Sequence, residues 1–472
     1  MRTTIASACL FCTLNVPVHA ATWNIGPGQT YTLPSQVSTL VANGDTVDIA
    51  AGTYPSDVAR WQADDLLLRG VGGMAHLESN GLSWGNKAIW VIQGNNTTVE
   101  WIEFSECSVP DENGAGIRQE GLGLKVRHCY YHDNENGILA GELHPCTMVI
   151  EHSEFAYNGF GDGYSHNLYI GNIDTLIFRY NYSHHAQVGH ELKSRAWVNV
   201  IEYNRIGNEA DGDASREIDL PNGGQAYLIG NVIQQGPLGQ NSNLVGFGLE
   251  SLGNPGPHEL YAINNTLVNE RPSGTFFSVA NGTALFKAYN NILAGAGFFM
   301  ASNGTTNLDT LANLRSTDIS SVMFGSPATY DYHISTSSPA HNLGFPAGVS
   351  NSGYPLVAWY EYVHPTDGTL RCQHALLDAG AFETCTQGAA DEVHEWMQLF
   401  PNPATVSVLV SMNVSMLFTR VQLCDALGRV LREVPVNATD NIVLDVGDLP
   451  AGVHLVRLLG PNVGVERRFM KF

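Results

Sequence analysis

The chain is poor in basic residues: 23 Lys and Arg stand against 45 Asp and Glu in 472 residues, a formal net charge of −22. A surface this acidic excludes non-specific nucleic-acid binding, which needs a basic footprint. A polyanionic ligand is repelled too, unless local cations or a bound metal reverse the field. Charge of either sign is scarce, at 14% of residues, and few long stretches carry helical periodicity. No apolar run is long enough to span a bilayer. Cys9 and Cys12 fall in the N-terminal apolar stretch and the other six cysteines contain no CxxC pair, so they do not read as a metal-binding set. What the chain does have is 49 Gly and frequent Asn, a composition that favours an all-β chain with many turns.

At the N-terminus, Met1-Arg2 is followed by the apolar stretch Ile5 to Val18 and then Val18-His19-Ala20. This pattern predicts a secretory signal cleaved after Ala20. Residues 21–385 form the body, 386–396 a short linker, and 397–472 a separate tail. Cys372 and Cys385 are positioned to staple the end of the body in an oxidising compartment. Cys107 and Cys129 lie 22 residues apart and read as stacked core thiols or as a second pair.

The body repeats itself. Phrases such as Ile177-Phe178-Arg179-Tyr180-Asn181-Tyr182, Val200-Ile201-Glu202-Tyr203-Asn204-Arg205 and Leu228-Ile229-Gly230-Asn231-Val232 recur through its middle. Aligning Ile102, Cys129, Ser153, Asn181, Asn204, Asn231, Asn265 and Asn291 gives steps of 27, 24, 28, 23, 27, 34 and 26 residues. Short strands at that period predict a β-solenoid. A turn repeated in every coil places the same side chain above itself at about 4.8 Å. Stacked buried amides then bond to one another and to the turn backbone.

Three consecutive coils concentrate unusual residues, in His166-Asn167-Leu168-Tyr169-Ile170, His190-Glu191-Leu192-Lys193-Ser194-Arg195 and Arg216-Glu217-Ile218-Asp219-Leu220. A fourth reads Val245-Gly246-Phe247-Gly248. Strand alternation turns Leu168, Leu192, Ile218 and Phe247 inward. Two outward columns are then expected: Asn167, Glu191, Glu217, Gly246 and Tyr169, Lys193, Asp219, Gly248. Asn167, Glu191 and Glu217 are hard oxygen donors of the kind Ca²⁺ takes, and a divalent ion relieves repulsion between stacked carboxylates. Lys193 is the candidate base, Arg216 or Arg195 the candidate cation beside it, and Tyr169, His190 and Asp219 the candidate substrate contacts. His166, His184, His185 and His190 read as hydrogen-bonded structure or, for His185 or His190, as a proton shuttle.

Two family resemblances rest on these residues. The tail, with Asn402-Pro403, Asp425, Gly428-Arg429, Leu449-Pro450-Ala451-Gly452 and the basic-aromatic end Arg467 to Phe472, resembles the C-terminal sorting domain of the type IX secretion system. That implies the export machinery as partner, and a secreted or surface-anchored product. The body resembles the pectate-lyase-like superfamily, on the repeat, on Asn43-Gly44-Asp45-Thr46-Val47 near its start and on Asp378-Ala379-Gly380-Ala381-Phe382-Glu383 near its end. This implies a right-handed parallel β-helix with coils from about 24 to 385, followed by a small β-sandwich.

Within it, Lys193-Ser194 and Arg216, 23 residues on, resemble the site of the family 6 polysaccharide lyases. The resemblance implies Ca²⁺ on Asn167, Glu191 and Glu217, a uronate-containing polysaccharide and β-elimination with Lys193 as base. In that family the arginine is usually followed by His and Gly, whereas Glu217 and Ile218 follow here. The residues also leave open a glycoside hydrolase using Glu191 or Glu217 with Asp219, a uronate epimerase, and a non-catalytic glycan-binding solenoid. A monomer is expected.

Overall fold

The structure, a computed structural model, describes residues 20–304, 306–372, 376–384, 397–401, 404–412, 418–425, 428–436, 441–460 and 464–471. The signal up to residue 19, the linker 386–396 and Cys385 lie outside the described residues. The body is a parallel β-solenoid of about ten turns. One flat face is a ten-stranded parallel sheet that runs from Ala59–Trp61 to Phe298–Ser302. A larger parallel sheet of 21 strands bends once in each coil and supplies two further flanks. A typical coil runs Leu192–Ser194 on the flat face, then Val198–Glu202 and Arg205–Gly207 on the two flanks. Inward side chains stack coil on coil. Leu168, Leu192, Ile218 and Val245 are all fully buried, and each such side chain contributes roughly 1.5–3 kcal/mol relative to exposure. Phe104, Tyr131 and Phe155 form a second inward column, with ring centroids 4.9 Å apart at each step.

The expected asparagine column exists, and it sits at the bend between the flanks. Asn181 N–H donates to Asn204 Oδ1 at 2.9 Å, Asn204 N–H to Asn231 Oδ1 at 3.0 Å, Asn231 N–H to Asn265 Oδ1 at 3.0 Å and Asn265 N–H to Asn291 Oδ1 at 2.9 Å. Each Nδ2 also donates backwards to a main-chain carbonyl, as Asn204 does to Phe178 O at 2.9 Å. Every rung is fully buried. The residue before each rung takes the left-handed conformation, with φ of 58° at Tyr180, 56° at Tyr203 and 67° at Gly230. An aromatic residue rarely adopts such a φ. Here ladder bonds hold the turn, and the displaced rings of Tyr180 and Tyr203 stack at 5.5 Å.

The coils stop earlier than the sequence suggested. The last solenoid strand is Leu314–Ser316, and the described residues from 319 to 384 do not continue the helix. They pack on the outside of the two flanks instead. Ala347, Leu356 and Ala358 cover Tyr180, Tyr203, Tyr227 and Tyr261, Tyr354 Oη donates to Glu202 Oε1 at 2.7 Å, and Trp359 N–H donates to Tyr203 Oη at 3.1 Å. A flank lined by tyrosines is apolar and carries hydroxyls, so it binds a covering segment better than it binds water. Cys372 is disulfide-bonded, while Cys107 and Cys129 are free and buried.

The tail forms two small antiparallel sheets, one of three strands and one of four. Their core includes Val408, Val410, Val421, Leu423, Val456, Leu458 and Phe469.

Candidate functional site

The flat face carries the charged cluster. Register places Tyr169 opposite Lys193, Lys193 opposite Asp219 and Asp219 opposite Gly246. The first three members of the expected column therefore hold. The fourth coil is displaced by one residue: Gly246, not Gly248, completes the column, and Val245 rather than Phe247 stacks on Ile218.

The other expected outward column does not face outward. Asn167, Glu191 and Glu217 are each 0% exposed. Alternation holds only within extended backbone, and the strands begin one residue later, at Leu168, Leu192 and Ile218. The three side chains turn into the corner and build a second buried polar ladder. Asn158 Nδ2 donates to Asn167 Oδ1 at 2.9 Å, and Asn167 Nδ2 donates to Glu191 Oε2 at 2.5 Å. Glu191 also accepts from Ala186 N–H at 3.0 Å and Ser183 Oγ at 3.2 Å. Glu217 accepts from Asn208 Nδ2 at 3.2 Å and from Gln235 Nε2 at 3.3 Å. Burial raises the Glu191 carboxyl to about 8 and pushes Glu217 well above its ordinary range. Repulsion between stacked acids is relieved here by protonation and amide donors. These residues, enclosed and already bonded within the corner, do not fit a calcium ion facing the groove.

The raised Glu191 carboxyl predicts a pH-dependent stability. Below about pH 4.5 this group is protonated in folded and unfolded chains alike. Between there and about 8 the folded chain keeps a proton that the unfolded chain has released, so stability falls as pH rises, by at most about 1.4 kcal/mol per pH unit for this group. Glu191→Gln removes that contribution. Urea unfolding from pH 5 to 8 is expected to show a shallower decline in the variant, and an unchanged slope rejects the assignment.

Around Asp219 the outward residues form one network. Asp219 is 1% exposed. Its Oδ1 accepts from Arg216 Nη1 at 3.0 Å, and its Oδ2 lies 3.6 Å from both Lys193 Nζ and His190 Nε2. Burial pushes the Asp219 carboxyl up, against the pull of Arg216 and Lys193. Arg216, which alternation would place inward, precedes the strand and reaches the face, where its Nε also donates to Asn243 Oδ1 at 2.6 Å. Arg195 Nε donates to Tyr169 Oη at 2.8 Å.

Sequence reasoning gave no role to Glu250, yet it bridges the two other cations. Its Oε1 accepts from Lys193 Nζ at 2.9 Å and its Oε2 from Arg195 Nη2 at 2.6 Å. Burial opposes it, but these bonds hold the Glu250 carboxyl below its ordinary range. His166 and His190 hold the corner together: His166 Nδ1 accepts from His190 N–H at 3.0 Å, His190 Nδ1 accepts from Arg216 N–H at 3.1 Å, and the rings stack at 4.8 Å. Burial keeps both neutral, lowering His166 to about 3 and His190 well below its ordinary range. His190 still presents Nε2 toward Asp219. Next to this network, on the side of Asn243, lies a cavity of about 560 Å³ lined by Asn243, Ser251, Ser278, Asn281 and Ser302.

Residues 398–471 match the family model described as "Secretion system C-terminal sorting domain". The tail is a type IX secretion sorting domain. It makes the chain a secreted or cell-surface protein whose partner is the type IX machinery. Among the described residues, no helix is long and apolar enough to cross a membrane. The solenoid preceding the sorting domain is similar to the crystal structure of pectate lyase Pel9A, with a TM-score of 0.52 and 13% identity over 79% of this chain and 98% of that one. At this identity the likeness is one of fold. Pectin methylesterase PemA from Erwinia chrysanthemi also aligns, at a TM-score of 0.31 and 8% identity over 67% of this chain and 98% of that one. So does the A-module of the mannuronan C-5 epimerase AlgE6 from Azotobacter vinelandii, at 0.29 and 12% over 60% and 93%. No curated protein matches the sequence.

Proposed function

We propose that the groove around Asp219 cleaves a uronate-containing polysaccharide by β-elimination, after signal-peptide export and outer-membrane translocation. One observation carries this reading. Lys193, Arg195 and Arg216 converge on a single face of a chain with net charge −22. So acidic a protein repels polyanions in general, and a local cationic cluster reverses that field where it is needed. Glu250, 49% exposed at its side chain, occupies the place a substrate carboxylate takes between Lys193 and Arg195. The likeness of fold to a pectate lyase agrees with an acidic polymer as substrate.

In the reaction, the uronate carboxylate displaces Glu250 and takes its place beside Arg195, and Arg216 adds to the positive field that stabilises the charge developing beside C5. Lys193 Nζ takes the C5 proton. The electron pair of that bond forms the C4–C5 double bond, and the C4–O bond breaks. Tyr169 Oη accepts from Arg195, which leaves its own proton to go to the departing oxygen. The hydrolase alternatives lose their carboxylate pairs, because Glu191 and Glu217 are enclosed and a glycosidase needs both acids flanking the bond.

The test is a panel of uronate polymers followed by ultraviolet absorbance of the unsaturated product, with and without chelator. Absorbance that grows in both arms is expected. New reducing ends without absorbance would establish hydrolysis, and inversion at C5 without chain cleavage would establish epimerisation. No turnover on any uronate polymer would leave a binding solenoid.

A further inference from the structure

The flank that follows the asparagine bend carries a second constellation, in coils that precede the groove and on a different sheet. Register sets His76 opposite Glu103 and Glu103 opposite Tyr130. His132 lies two residues beyond Tyr130, and so on the same outward side. We propose that His76, Glu103 and His132 bind one divalent transition-metal ion of the Zn²⁺ class, clamping three successive coils. The proposal is independent of the reaction assigned to the groove.

Geometry supports it at each donor. One ligand atom from each residue lies within 4.8 Å of the others, the one such group of three among the described residues. Glu103 Oε1 is 3.0 Å from His132 Nε2 and 3.8 Å from His76 Nε2. Donors about 3.4 Å apart form the edges of a tetrahedron around Zn²⁺ at its usual bond lengths, so the observed separations bracket the required one. The His132 ring is already aimed, with Asp133 Oδ2 2.7 Å from its Nδ1, whereas Ser105 Oγ lies 2.7 Å from His76 Nε2 and must yield that nitrogen to the ion. A carboxylate on the far nitrogen of a ligating imidazole is the usual outer partner that fixes the ring.

Two imidazoles with one carboxylate select a borderline ion such as Zn²⁺ over Ca²⁺, which takes oxygen. The side chains of His76, Glu103 and His132 are 21%, 25% and 17% exposed. Solvent therefore reaches the fourth position, and the bound ion keeps a water there.

The test uses the full chain, stripped with chelator, reloaded with Zn²⁺ and desalted before metal analysis. One ion per chain and a raised melting midpoint are expected. His76→Ala and His132→Ala should each weaken binding by at least roughly 100-fold, and Asp133→Asn by roughly 10-fold. His184→Ala, on the same flank in a later coil, should retain the ion. Circular dichroism of the unloaded variants reports whether they fold, and the mild Asp133→Asn change gives an independent readout. A wild-type chain that retains no ion overturns the proposal. So does a folded His76→Ala/His132→Ala variant that retains it unchanged.

Discussion

Lys193→Ala is expected to lower the rate of unsaturated-product formation by roughly 10²–10⁴-fold, the usual contribution of a positioned general base. Stability should fall as well: the pair with half-exposed Glu250 contributes only about 0–1 kcal/mol, but buried Asp219 loses one of the two cations beside its carboxylate and keeps Arg216. Lys193→Arg separates two roles that alanine merges. It keeps a positive charge beside Asp219 and Glu250 but supplies no free amine at working pH. If Lys193 only attracts the polymer, the arginine variant should retain most activity and a near-normal KM. If it removes the C5 proton, kcat should collapse while KM holds. Retained turnover in Lys193→Arg would defeat the base assignment without touching the fold.

Asn204→Ala is expected to be the most damaging single change in the body. The side chain accepts from Asn181 N–H and donates to Phe178 O and to Asn231 Oδ1, all fully buried. Alanine strands the Asn181 N–H and the Phe178 carbonyl. Each orphaned group costs about 1–3 kcal/mol, so the loss should be roughly 2–6 kcal/mol, against a typical total of about 5–15 kcal/mol. Denaturant unfolding measures it. A change below about 1 kcal/mol would mean that water replaces the rung.

The sequence announced the solenoid because asparagine marks five successive coils at one phase, from Asn181 to Asn291, and stacked amides there satisfy one another. The groove was half legible. Strand alternation located Tyr169, Lys193 and Asp219 correctly, since all three lie in extended backbone. It misplaced Asn167, Glu191 and Glu217, because a residue one step before a strand belongs to the corner, and corners obey hydrogen bonding rather than parity. The fourth coil slipped because Gly246 and Gly248 flank Phe247 symmetrically, so either phase satisfies the pattern; only pairing with Ile218 and Asp219 settles it. Glu250 escaped notice for a related reason. It follows a strand end within the longest step of the series, 34 residues between Asn231 and Asn265, where counting by coil no longer predicts position. The closing motif at 378–383 resembles the last coil of a solenoid, yet the described residues from 319 to 384 cover the outside of the two flanks.

That uneven spacing has its own consequence. Each rung fixes where a coil begins again, whatever length of chain intervenes, so extra residues are absorbed outside the load path of the stack. The excursion bearing Glu250 is one such insertion, and it overhangs the groove. A scaffold of this kind lets the mouth of its cleft be re-cut by grafting loops between rungs, with the neighbouring coils left in register.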